Sequence, residues 1–140
     1  MSRIFWDTNL FIYFLEDYGP LTHTTERLRR RMLERGDQLL TSTMTLGELL
    51  VKPTREGRME VCRHYEHLLQ SAALLLAFDA SAARVYAALR ADKSLRAPDA
   101  IQLACAATAR VDLFITNDDR LQGRQIAGIQ FIVPLSRSPI

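Results

Sequence analysis

The sequence predicts an α/β protein, a three-layer α/β/α sandwich built on a five-stranded parallel sheet. Two patterns say so. Short apolar bursts alternate with longer helical stretches, and the bursts are continuously apolar, as strands are when helices cover both faces of a sheet. In addition, the segment from Pro98 to Ala109 is apolar on nearly every side, so it belongs in the interior.

Taken in order, Ile4 to Trp6 is a first strand and Asn9 to Glu16 a mostly buried helix, ended near Gly19 and Pro20. Leu21 to Arg35 reads as a second helix that stops at Gly36. Gln38 to Thr41 is a second strand. Thr43 to Lys52 is a helix with Leu46, Leu49 and Leu50 on one face and Pro53 as its stop. A helix from Arg58 to Gln70 follows. Ala73 to Phe78 is the most hydrophobic strand candidate, and Asp79 or Ser81 can cap the next helix, where Ala82, Val85, Tyr86 and Leu89 share one face. Pro98 suits the first position of the buried helix. Leu113 to Thr116 is a fourth strand, Asp118 to Gln122 a short turn of helix, and Gln130 to Val133 a fifth strand.

At 140 residues, 48% of them apolar, the chain fits one globular domain spanning 1–140 and has no need of disulfides or a structural metal. Its longest apolar run, Ala72 to Phe78, is far short of the roughly eighteen residues of a membrane span. Asp7 interrupts the apolar start, so no signal-peptide core is expected and the cytoplasm is the expected compartment. Cys62 and Cys105 stand apart in helical segments and read as small buried hydrophobes. Lys and Arg number 18 against 16 Asp and Glu, a net charge of +2 that announces no nucleic-acid partner by itself.

Function in an open parallel sheet collects beyond the carboxyl ends of the strands. Asp7 follows the first strand and Asp118 the fourth, Glu48 lies in the helix after the second, and Asp99 opens the buried helix. Each also has a plain structural use. Asp7 and Asp118 can cap helices, Thr45-x-x-Glu48 can form a capping box, and Asp99 can favour a helix amino terminus. Four such acids near one sheet edge are better explained as a site. Two like charges about 4 Å apart repel by roughly 1 kcal/mol in water and about 4 kcal/mol at an effective dielectric of about 20, so clustered carboxylates need protons or metal ions. Oxygen ligands without His or Cys suit Mg²⁺ or Mn²⁺, and such a site suits hydrolytic phosphoryl transfer.

At these residues the chain resembles the PIN domain family of nucleases, and by its size a VapC-type toxin of a bacterial toxin-antitoxin pair. The likeness covers essentially the whole chain. It rests on Asp7-Thr8-Asn9, Gly47-Glu48-Leu49, Pro98-Asp99-Ala100-Ile101-Gln102-Leu103-Ala104 and Phe114-Ile115-Thr116-Asn117-Asp118. The resemblance implies strand order 3-2-1-4-5 and a Mg²⁺- or Mn²⁺-dependent endoribonuclease whose acidic site is Asp7, Glu48, Asp99 and Asp118. Asp7 and Asp99 would be direct metal ligands, while Glu48 and Asp118 would complete the shell or orient the attacking water. Asn9, Thr116 and Asn117 match positions that hold ligands or the scissile phosphate. The Thr-Asn-Asp pattern favours Asp118 over Asp119. A cognate antitoxin, toxin homodimers and a toxin-antitoxin hetero-oligomer are implied as well, with operator DNA left to the antitoxin.

Other features have plainer readings. Arg27, Arg30 and Arg31 can guide an RNA backbone, but Glu26 and Glu34 are placed to pair with Arg30 on a solvated helix face. His64 and His67 lack a third ligand nearby. A phosphoacceptor domain with Asp79 as acceptor would also have acids at strand ends. It should place two acids after the first strand and a Lys after the fifth, where this chain has Asp7 and Val133-Pro134-Leu135. A free-standing RNA-processing nuclease is the nearer alternative.

Overall fold

In a computed structural model describing residues 1–140, five short strands pair into one all-parallel sheet. They are β1 (Arg3–Trp6), β2 (Gln38–Ser42), β3 (Leu74–Leu76), β4 (Val111–Ile115) and β5 (Ile129–Val133), in the spatial order β3-β2-β1-β4-β5. The expected sheet and strand order are therefore present. Six helices connect them: α1 (Thr8–Leu15), α2 (Pro20–Arg35), α3 (Thr43–Arg55), α4 (Met59–Ala72), α5 (Ala80–Leu89) and α6 (Ala97–Ala109).

The pleat sends alternate residues of each central strand to opposite faces, which splits the core in two. Ile4 and Trp6 of β1 join Leu113 and Ile115 of β4 against Leu10 and Phe11 of α1 and Leu28 and Met32 of α2. Phe5 and Phe114, paired in register between them, turn the other way and stack with ring centroids 4.9 Å apart under Leu103, Ala104 and Ala107 of α6. Small residues let α6 lie close to the sheet, and its interior positions are almost all buried. No helix is long and apolar enough to cross a membrane.

Several boundaries differ from expectation for identifiable reasons. Pro53 does not stop α3, which continues to Arg55. Proline cannot donate to the carbonyl one turn back, but its ring is buried and the turn beyond it closes through Glu56 N to Lys52 O at 3.0 Å and Arg58 N to Pro53 O at 2.8 Å. The strand expected from Ala73 to Phe78 shrinks to Leu74–Leu76, because β3 lies at the sheet edge with β2 as its only partner and Leu74 is exposed. Asp79 rather than Ser81 caps α5, accepting from Ala82 N at 2.9 Å. Pro98 is the second residue of α6, not the first. The helix expected from Asp118 to Gln122 is absent and residues 119–123 form turns, since the Asp118 side chain accepts the Arg120 backbone N–H at 3.0 Å and so competes with helical pairing. A 3₁₀ turn at Leu135–Arg137, which no sequence pattern announced, follows β5.

Candidate active site

The carboxyl ends of β1 and β4 lie side by side. Trp6 pairs with Ile115, and Asp7 N continues the ladder to Ile115 O at 3.0 Å, which brings Asp7 against Thr116. Asp7 does cap α1, Oδ1 accepting from Thr8 N at 2.9 Å, but its other oxygen accepts the Thr116 hydroxyl at 2.7 Å. The side chain is buried and takes part in no ion pair. Burial pushes its carboxyl above the ordinary range; the Thr116 and Thr8 hydrogen bonds oppose this, and the charges of Glu48 and Asp99 reinforce it.

Beneath Asp7 runs a polar network centred on Gln102 of α6, which is 2% exposed. Its Nε2 donates to Thr45 Oγ1 at 2.7 Å and lies 3.2 Å from Thr8 Oγ1 and 3.3 Å from Asp7 Oδ1, while Oε1 accepts from the Ser42 hydroxyl. Thr41 donates to Trp6 O at 3.0 Å and lies 2.8 Å from Thr45 Oγ1. The network joins the ends of β1 and β2 to α3 and α6. Sequence reasoning missed it, although Gln102 was visible as a polar residue inside an otherwise apolar stretch. Ser42, not Thr45, caps α3, so the expected Thr45–Glu48 capping box is absent and Thr45 is free to join the network.

Asp7, Glu48, Asp99 and Asp118 all line one open cavity of about 230 Å³ together with Thr8, Asn9, Arg96 and Gln102. Glu48 is exposed, and its Oε1 accepts the Thr8 hydroxyl at 2.6 Å. Asp118 is half-buried and turned inward, while Asp119 is exposed and lies 3.4 Å from Gln122 Nε2. Arg120 grips Asp118 with Nε at 2.9 Å and Nη2 at 2.5 Å, and this hydrogen-bonded fork holds the Asp118 carboxyl below the ordinary range. Asp99 lies 3.7 Å from Arg120 Nη2 and 3.5 Å from Arg96 Nε.

Of the expected polar positions, Asn9 lines the cavity, and Thr116 reaches it through Asp7. Asn117 acts as a brace instead, its Oδ1 accepting Leu135 N at 3.0 Å and its N–H lying 3.4 Å from Asn9 Oδ1. As placed, no three acids converge into a ready metal-ligand set. The donor set nevertheless fits a hard divalent cation in kind: it is all oxygen, and its most buried carboxylate has hydrogen-bond donors but no positive partner.

The remaining candidates lie elsewhere. Arg27, Arg30 and Arg31 are exposed on α2, and Glu34 pairs with Arg31 at 3.5 Å instead of with Arg30. Asp79 caps α5 outside the cavity, and His64 and His67 belong to no metal-holding group. Both cysteines are buried, and burial pushes the Cys105 thiol up to about 11, so it stays protonated.

The model of the PIN domain family matches residues 4–125. This chain belongs to that family. Its fold is similar to those of solved structures described as VapBC2 from Rickettsia felis bound to a DNA fragment from its promoter (15% identity, 94% of this chain and 98% of that one, TM-score 0.71) and DNA-bound VapBC from Salmonella typhimurium (20%, 96% and 99%, TM-score 0.71). A toxin-antitoxin complex from Klebsiella pneumoniae is similar at 25% identity over 90% of this chain and 94% of that one, with a TM-score of 0.64. No curated protein matches the sequence.

Proposed function

We propose that this chain is a Mg²⁺- or Mn²⁺-dependent endoribonuclease acting in the cytoplasm as the toxin of a type II toxin-antitoxin system. The observation that carries the reading is that four carboxylates, brought from four separate places in the chain, line one open polar cavity at the sheet's carboxyl edge. Membership of the PIN family and likeness to toxin-antitoxin structures support it.

Asp7 and Asp99 would hold the ion, with Glu48 and Asp118 completing its shell or orienting the attacking water. A bound divalent ion makes its water more acidic and neutralises charge on the phosphate. The chain's own contribution is placement. Thr116 and Thr8 N fix both oxygens of Asp7, Gln102 ties α6 to the ends of β1 and β2, and Asn9 faces the cavity for the scissile phosphate. The water oxygen bonds to phosphorus as the bond to the 3′ oxygen breaks, leaving a 5′-phosphate on one fragment and a 3′-hydroxyl on the other. A cognate antitoxin and a second copy of the chain are the proposed protein partners, with operator DNA contacted by the antitoxin.

Purified protein incubated with structured RNA should cleave it with Mg²⁺ or Mn²⁺ and lose that activity on chelation, as Asp7→Asn or as Asp99→Asn. Cleavage that survives either substitution or full chelation refutes the mechanism. A short antitoxin-like reading frame beside the gene is expected; its absence favours a free-standing RNA-processing nuclease.

A further inference from the structure

We propose that Arg120 is a displaceable counter-cation of the acidic cavity: its guanidinium occupies Asp118 and Asp99 until a nucleic-acid phosphate takes it, so that phosphate and divalent cation bind cooperatively. This inference rests on the metal-dependent reading above.

The four acids are not equally available. Asp7 and Glu48 meet only hydrogen-bond donors, whereas Asp118 is held through both oxygens by the Arg120 fork, which also reaches Asp99 at 3.7 Å. Every carboxylate oxygen engaged by a guanidinium is withdrawn from a metal, and the positive charge repels the ion as well. Arg96 also meets Asp99, at 3.5 Å, but is 63% exposed and makes no ion pair with Asp118.

Arg120 is built to let go. Its side chain is 48% exposed, so the ion pair is solvent-screened and easily exchanged. Its backbone is held apart from the Asp118 carboxylate by the bond from Arg124 Nε to the Arg120 carbonyl oxygen at 2.9 Å and by the fully buried Leu121 that follows. The side chain can therefore swing without unfolding the turn. A phosphodiester offers the same two-oxygen edge that carboxylate does, and guanidinium matches both in bidentate fashion. When phosphate takes the fork, Asp118 becomes free for the cation and Asp99 keeps only its exposed partner Arg96. By linkage, each ligand then tightens the other by the same factor.

The test is Mn²⁺ affinity, read by electron paramagnetic resonance of the free ion, with and without a 5′-phosphorylated RNA trinucleotide as a product-like probe. Wild type should bind Mn²⁺ about five- to tenfold more tightly with the trinucleotide present. Arg120→Ala should bind it about that much more tightly without the trinucleotide and show little further gain. Arg120→Gln, which stays polar but loses the charge and the fork, should behave alike, and thermal unfolding verifies that both fold. A variant with wild-type Mn²⁺ affinity, or one that keeps the wild-type coupling factor, overturns the proposal. Wild type that binds no Mn²⁺ in either condition refutes the metal-dependent reading itself and this inference with it, an outcome recognisable without any variant.

Discussion

Replacing Gln102 should both loosen the fold and disable the site. In Gln102→Ala the buried Ser42 hydroxyl loses its acceptor and Thr45 Oγ1 loses its 2.7 Å donor, with Thr8 and Asp7 losing longer contacts. Ser42 keeps its bond from Met44 N and Thr45 its neighbour Thr41, so the two weakened groups cost about 1–2 kcal/mol each, and the void adds about 1 kcal/mol, for a total near 3–5 kcal/mol. At roughly 3 °C per kcal/mol for a chain of this length, Tm should fall by about 10–15 °C. Gln102→Leu fills the space but repeats the polar loss, so about 2–4 kcal/mol is expected there. Urea and thermal unfolding measure both. RNA cleavage, assayed below the variants' melting range, should fall about a hundredfold because Asp7 loses part of its frame. A loss below about 1 kcal/mol in Gln102→Ala, or normal cleavage by the folded variant, would refute the idea that this network joins the sheet edge to α6.

The raised pKa of Asp7 makes a second prediction for protein in a chelator. A carboxyl whose folded pKa lies above its unfolded value destabilises the fold once ionised, so the penalty is absent below the ordinary carboxylate range and fully present above the folded pKa. Asp7→Asn keeps an oxygen to accept from Thr8 N while its amide can donate to Thr116, so it should melt higher than wild type at pH 7, with the gap closing towards pH 4. A variant that melts lower at pH 7 contradicts this. Gly128 supplies a third. Its φ is +95°, and an added Cβ would lie 2.4 Å from the Ala107 carbonyl oxygen, so Gly128→Ala should cost about 3 kcal/mol in urea unfolding by prising β5's approach from α6. A change within about 0.5 kcal/mol would mean that the turn shifts freely.

Much of the architecture was legible because periodicity reports burial. Continuously apolar strands and a helix without a polar face can exist only inside a covered parallel sheet, and all five strands and the main helices fall where those patterns put them. Misreadings cluster where local signals compete with packing. Pro53 looks like a helix stop until its ring is buried, the leucines of β3 look central until the strand proves to be an edge, and residues 118–122 look helical until Asp118 folds back on its own backbone. The four acids could be picked out because each stands at the end of an apolar run or at the head of a buried helix, places where a charge is conspicuous.

By itself, then, the amino-acid order determined the layered fold and which carboxylates could meet, since hydrophobic periodicity and strand ends are written in one dimension. Tertiary structure alone decided their unequal states. Asp7 is buried with no cation and Asp118 is clasped by Arg120, while a glutamine from α6 frames the floor beneath them. Hydrogen bonds between residues up to 109 positions apart create these differences, and desolvation and charge pairing depend on distances that no local pattern encodes.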